Sequence, residues 1–381
     1  MKLLRIATDY PDYLEQFYRR RPHLKHQSYA EQKKALEYDA FFWEGYWTVE
    51  FSKLGYDVQE IIWNCDTLQR QWAKEHLPKS RHHTYSLYDI LLFQISEFSP
   101  DIVWLWLWDI EFLKILKERF PKIKLIIGWV GSSVPGECLP FFLATDLMFS
   151  CAPESVERLS EHRNDVYHIN HWFVPNVLTR INTGIGLNHD IVFTGEILLD
   201  SEHHRGRLAF LQDLIKQCKL EIYSPNVVED TKRLSLMRSV YYRFKHNPYR
   251  RIINGSRAGV FGLDMIQLLH SSRIGLNIHA DSSPRFASNM KMFEISGSGS
   301  CLVTDWKENI NDIFSEDTEV VTYKSVEECV EKVKWLLDNP RKRVEIAHAA
   351  QKRVEKQHRF DQRAAQMHNI IVSRLKGQLP S

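Results

Sequence analysis

The sequence has no apolar stretch approaching the roughly 20 residues that a helix needs to cross a bilayer, which argues against an integral membrane protein. Its opening residues are apolar only as far as Ala7 and offer no small-residue cleavage site, so they are expected to form a first buried strand rather than an export signal. Cysteine is scarce: Cys65, Cys138, Cys151, Cys218, Cys301 and Cys329 lie far apart with no Cys-x-x-Cys pair. That spacing argues against a disulfide framework and a zinc site, and it points to a reducing, cytoplasmic setting. A dominant charge is missing too, since 50 Lys and Arg against 48 Asp and Glu leave a net charge of +2. The whole-protein field therefore does not call for nucleic acid, and an anionic partner must be recognised locally. There is no repeat of solenoid period and no low-complexity tract. No Asp-x-Asp pair follows a strand-like run to hold a divalent cation on a diphosphate, so neither a metal nor a cofactor is expected.

What is present is the material for two ordinary globular cores, with 381 residues of which 44% are hydrophobic. Short apolar runs alternate with amphipathic stretches. Leu3–Ala7, Asp57–Ile62, Ile102–Leu107, Lys124–Trp129, Leu147–Ser150 and Val166–Ile169 read as strands, with helical patterns at Phe41–Leu54, Ile110–Phe120 and Pro153–His162. This rhythm predicts a parallel sheet with helices on both faces over residues 1–178. Around Pro175–His189 the periodicity gives way to Asn, Gly and Thr, as expected of a hinge. A second series over residues 190–360 runs through Ile191–Thr194, Leu220–Tyr223, Arg273–Ile278, Cys301–Thr304 and Val320–Tyr323, and a charged helix and tail over 361–381 finish the chain. The fold class is therefore α/β, two Rossmann-like domains expected to face a central cleft. Ser325 with Glu328 forms a capping box, and Pro340 is placed to open the following helix. One segment breaks the pattern: Val227–Arg257 interleaves Arg233, Arg238, Arg243, Lys245, Arg250 and Arg251 with Tyr and Phe, as an insertion that touches anionic lipid headgroups or a phosphate-bearing acceptor would, or as a solvated helix pair.

The stretch richest in chemistry is Arg273-Ile-Gly-Leu-Asn-Ile-His279, a polar loop with Arg285, and then Asn289-Met-Lys-Met-Phe-Glu294-Ile-Ser-Gly297-Ser298-Gly299 before Leu-Val-Thr304-Asp305. It reads as strand, loop, short helix, glycine turn, strand. Lys291 can neutralise a phosphate, Glu294 can accept hydrogen bonds from paired ribose hydroxyls, and the glycines let backbone amides approach a diphosphate. His279 and Asp109 each end a strand, where open parallel sheets bind ligands, and both are candidate catalytic groups. For Asp109 the commoner fate is the cap of the helix from Ile110, and a lone histidine is more often structural. His171 and Trp172, with His168, end another strand near the hinge and are candidate contacts to donor or acceptor, with His171 and Trp172 assigned to the acceptor.

These residues resemble the donor-binding signature of GT-B glycosyltransferases, and more narrowly the CgeB-like bacterial group of the family-one type. The likeness continues through Ile313-Phe314, Glu319-Val320, Asn339-Pro340, Arg353-Val354, His358 and Arg363, and covers most of the C-terminal half. The resemblance implies a nucleotide-diphosphate sugar donor, with Glu294 on its ribose, Gly297, Ser298 and Gly299 near its diphosphate, and Lys291 or Arg285 on its phosphates. Ile191-Val-Phe-Thr-Gly195 followed by Arg205 and Arg207 is similar to the family's opening strand and glycine loop, placing Gly195 in the cleft, and the final helix is implied to pack back toward the first domain. Two features depart from the family. Phe286 stands where the retaining branch carries the first of two glutamates, and Asp9-Tyr-Pro-Asp12 replaces the glycine-rich loop after the first strand. The implied reaction is metal-independent transfer of a sugar to a glycan, lipid-linked or protein acceptor in the cytoplasm or peripherally at the inner membrane face. The alternatives are a nucleotide-sugar epimerase or hydrolase, and a catalytically silent module in an envelope or spore-coat assembly.

Overall fold

The structure, a computed structural model, describes residues 1–78, 84–198, 204–227 and 250–377. The chain divides into two compact units, residues 1–169 with 360–381 and residues 170–359.

The first unit is built on β1 (Lys2–Ala7), β2 (Asp57–Ile62), β3 (Ile102–Leu105), β4 (Leu125–Val130), β5 (Leu147–Ser150) and β6 (Val166–His168). They form one sheet in the order β2-β1-β3-β4-β5-β6, and every pairing is parallel. Parallel strands covered on both faces must be apolar at nearly every position, which is why runs such as Leu125–Val130 are buried throughout. Arg5 is the exception inside β1. It is 1% exposed, lies opposite Glu60 of β2 in register, and bonds it at 2.9 Å. Local signals set the helix starts: Ser28 and Glu31 box the Tyr29–Asp39 helix, Ser86 and Asp89 box Leu87–Phe98, and Asp109 caps Ile110–Arg119.

The stretch Phe41–Leu54, expected as one helix, is broken. A 3-10 turn at Phe41–Trp43 precedes a helix at Tyr46–Lys53, and Ala40, Phe42, Trp43 and Gly45 all have positive φ. The break turns Phe41, Trp43 and Glu44 inward and leaves Phe42 between them half-buried.

The second unit carries β7 (His189–Thr194), β8 (Glu221–Tyr223), β9 (Ser256–Arg257), β10 (Ser272–Asn277), β11 (Cys301–Asp305) and β12 (Val321–Tyr323), ordered β12-β11-β10-β7-β8-β9 and again all parallel. The helices Arg205–Leu214 and Val326–Asp338 pack against each other, and Gly262–His270 and Met290–Gly297 form a second packed pair. Ser325 accepts from the Glu328 amide, and Pro340 opens the Pro340–Gln357 helix. The Pro175–His189 connection begins with a 3-10 turn at Pro175–Arg180 inside this unit, and the boundaries fall instead at Ile169/Asn170 and Arg359/Phe360. Of the basic, aromatic Val227–Arg257 segment, residues 228–249 lie outside the described residues.

Candidate functional site in the second domain

In the second sheet the chain builds outward from β7 through β8 and β9, then returns to the other side of β7 for β10, β11 and β12. The order reverses between β7 and β10, and open parallel sheets bind ligands at the carboxyl ends of the strands flanking such a reversal. Thr194 ends β7 there with Gly195 just past it, and Ile278 and His279 follow β10. The Thr194 hydroxyl is buried with no hydrogen-bond partner among the described residues. Arg207 fastens the two loops together, donating 2.8 Å hydrogen bonds to the carbonyls of Glu196 and Ile278. It is 7% exposed, and burial lowers its pKa. The Gly206 amide, at the start of the Arg205–Leu214 helix, donates to Asp281 at 2.8 Å.

Beside this junction lies a cavity of about 530 Å³ lined by Arg207, His279, Asp281, Asp305, Trp306 and Tyr323, among others. His279 is 4% exposed and its ring is engaged at both nitrogens. Nδ1 is 2.7 Å from the Asp305 carboxylate, and with Nδ1 donating, Nε2 accepts from the Ser288 amide at 3.4 Å. Burial acts to raise the Asp305 pKa, but His279 and Lys307 beside it outweigh that and hold the carboxyl well below the usual range. His279 thus braces the loop leading into the Met290–Gly297 helix rather than standing free as a base.

On that helix Lys291 and Glu294, one turn apart, pair at 2.6 Å, and Glu294 is 7% exposed. Asn289 caps the helix by accepting from the Lys291 amide. A phosphate and a vicinal diol could take the place of each partner in this pair, because the cation and the carboxylate offer the complementary groups. Arg285 is exposed, lies over the Phe286 ring at 4.5 Å and is 3.8 Å from Glu308. Arg205 is the first residue of its helix.

The glycine turn lies elsewhere. Gly297, Ser298 and Gly299 sit at the carboxyl end of the Met290–Gly297 helix, leading into the amino end of β11. Outward carbonyls dominate at such an end, so it does not suit a diphosphate. Packing and capping explain the residues: the Phe173 ring leaves no room for a β-carbon at Gly297, Gly299 has φ of 85°, and His270 and Gln351 hydrogen-bond the Ser298 and Gly297 carbonyls.

His171 and Trp172 are buried, with the His171 ring 6.5 Å from Phe293, so neither presents a face to an acceptor. His168 lies 3.2 Å from the Cys151 carbonyl. In the first unit Asp109 is committed as a cap, accepting from the amides of Glu111 and Phe112 at 2.9 and 3.1 Å and from the Tyr88 hydroxyl at 2.8 Å. Burial acts to raise its pKa, but these bonds lower it, which suits a cap better than a base. The sequence reading missed Arg207 as a brace and the Asp305 carboxylate in the cavity wall. Thr304-Asp305 at a strand end was the available signal for the latter.

Residues 207–369 match the family described as glycosyl transferase-like. No curated protein sequence matches the chain. Solved structures similar to it include Anabaena Alr3699/HepE in complex with UDP-glucose, at 11% identity over 98% of this chain and 100% of that one, with a TM-score of 0.60. The sucrose-phosphate synthase of Thermosynechococcus elongatus is 8% identical over 99% and 100% of the two chains, with a TM-score of 0.61. A glycosyltransferase from Rickettsia africae is 10% identical over 99% of each, with a TM-score of 0.57. The two parallel six-stranded sheets, each doubly wound, together with these likenesses, define a protein of the GT-B fold. Within it, the glycosyl transferase-like match covers much of the second unit and runs on into the final helix.

Proposed function

We propose that the chain is a glycosyltransferase that moves a sugar from a nucleoside-diphosphate sugar to a glycan, lipid-linked or protein acceptor without a required divalent cation. The observation that carries this reading is the coincidence of the glycosyl transferase-like match at 207–369 with the loop braced by His279 and with the buried Lys291–Glu294 pair. Two of the similar structures hold UDP-glucose or UDP with glucose, which makes UDP the first donor base to try. In this reading Glu294 takes the ribose hydroxyls, and Lys291, released from it, joins Arg205 and Arg285 in meeting the diphosphate. Fixed cations stabilise the departing nucleotide without reorganising as charge develops, so they can do the work a metal would otherwise do. Gly195 lets the chain approach the phosphates closely. The six free cysteines fit a cytoplasmic setting.

A thermal-shift series with UDP, GDP, dTDP, ADP and CMP, with and without magnesium, tests the donor site. A ligand at 100 times its Kd stabilises by about 2.7 kcal/mol, so one diphosphate should raise Tm by a few degrees with or without the cation. The shift should vanish in Glu294→Ala and weaken in Glu294→Gln. If no nucleotide moves the wild-type protein at millimolar concentration, the transferase reading fails.

A further inference from the structure

The first sheet also reverses order, between β1 and β3, and the residues just past those strands are aromatic. Trp106 follows β3 directly, and Tyr10 lies three residues beyond β1. Phe42 joins them: its ring centroid is 5.1 Å from Tyr10, edge to face, and 5.0 Å from Trp106. Tyr10 is 40% exposed, and Phe42 and Trp106 are half-buried.

Phe42 reaches this place through strained backbone. Its φ and ψ are 48° and 25°, Ala40 and Trp43 have φ of 55° and 63°, and these are three of the five non-glycine residues with positive φ among the described residues. For bulky L-residues that conformation costs on the order of 1–2 kcal/mol each. It persists because the flanks are fixed. Phe41 and Trp43 are buried, and Glu60, held by Arg5 at 2.9 Å, accepts from the amides of Gly45 at 3.1 Å and Thr48 at 3.0 Å. Of the three consecutive aromatics, the kink leaves only Phe42 partly open. A fold that keeps such strain while holding one ring against two others at a sheet's reversal point has the marks of a ligand platform rather than of core.

We propose that Tyr10, Phe42 and Trp106 form a carbohydrate-binding platform on which a pyranose ring stacks. A pyranose pairs an apolar C–H face with a rim of hydroxyls. The platform matches that division: the Thr8 hydroxyl, which donates to the Trp106 carbonyl, and Asn64, bonded to the Asp9 backbone next to Tyr10, set strand-end polar groups beside the rings. An acyl chain would gain from the rings but nothing from the polar surround. Only the platform's role as the acceptor subsite rests on the transferase reading.

Saturation-transfer NMR on the full chain tests this, with methyl α- and β-glucopyranoside, methyl N-acetyl-β-glucosaminide and cellobiose as probes and octyl glucoside as the control for an alkyl chain. Saturation should reach the pyranose C–H protons of at least one probe. Affinity should fall at least tenfold in Phe42→Ala and in Trp106→Ala and be retained in Phe42→Tyr, with cooperative thermal unfolding and any UDP shift kept in all three although the alanine variants melt lower. The proposal is overturned if folded wild-type protein transfers saturation to no pyranoside, if binding survives both alanine substitutions, or if only the octyl methylenes are saturated. Pyranoside binding without any nucleotide shift would support the platform and sink the transferase reading alone.

Discussion

At Gly297 a β-carbon would sit 2.4 Å from two atoms of the Phe173 ring, both buried, so one methyl group there has nowhere to go. Overpacking of this kind costs about 1–3 kcal/mol. Gly297→Ala should therefore lower Tm by several degrees while leaving any nucleotide-induced shift in place, both read from the same thermal melts. Loss of the shift in a protein that still melts cooperatively would return the glycine turn to the donor site. That a glycine was needed here was legible in the sequence; why it was needed was not, because Phe173 lies more than a hundred residues away. The i,i+3 spacing of Lys291 and Glu294 and the cap at Asp109 were readable for the opposite reason, since their partners are local. The bracing role of Arg207 escaped notice because it is anchored by backbone carbonyls 11 and 71 residues off, and such acceptors have no residue-type signature.

The kinked connection Ala40–Gly45 shows the same divide at the level of an element. Strands buried on both faces announced themselves as unbroken apolar runs, and the expected strands β1, β2, β4 and β5 lie within a residue of their observed bounds. The kink did not, because positive φ at Phe and Trp contradicts their own preferences and is held by flanks fixed from elsewhere in the unit, through Glu60 on β2. The Glu44 and Asp9 carboxyls are each 1% exposed, with one another and Arg5 as near neighbours, and Arg5 is already bonded to Glu60. One guanidinium cannot neutralise three buried carboxylates, so the pair keeps a proton. Burial, against the pull of Arg5, lifts the Asp9 pKa to about 7. A carboxyl raised in the folded state and ordinary when unfolded binds more protons folded, so its contribution to stability is complete below about pH 4 and fades as pH rises through 7. The span corresponds to something on the order of 4 kcal/mol. Urea unfolding at pH 5, 7 and 8.5 should show wild type losing stability across the series, and Asp9→Asn should lose markedly less. Parallel slopes for the two proteins would mean that the buried proton is held elsewhere.

For the whole molecule, the chain enters the second unit at Asn170 and leaves it at Arg359, and the Phe360–Leu375 helix belongs to the first. That helix packs on Tyr46–Lys53, with Phe360 5.0 Å from the Trp47 ring, His368 bonded to the Tyr56 hydroxyl at 3.0 Å and Arg374 3.3 Å from Asp165. Phe360, Met367 and Ile371 are all buried. Three such side chains are worth roughly 5–9 kcal/mol of burial, comparable with the net stability of a whole domain. A chain ending at Arg359 should therefore lose amide-exchange protection in β1, β2 and β3 while β10 and β11 keep theirs. The nucleotide-induced shift should survive with the second unit. The resemblance implied a final helix directed to the first domain, but the sequence had no means of showing that its removal is asymmetric, because the helix's apolar face does not name the surface that covers it. Protection lost equally from both sheets would mean that the units are not separately stable. Protection kept in both would mean that the helix only rests on a domain already complete without it.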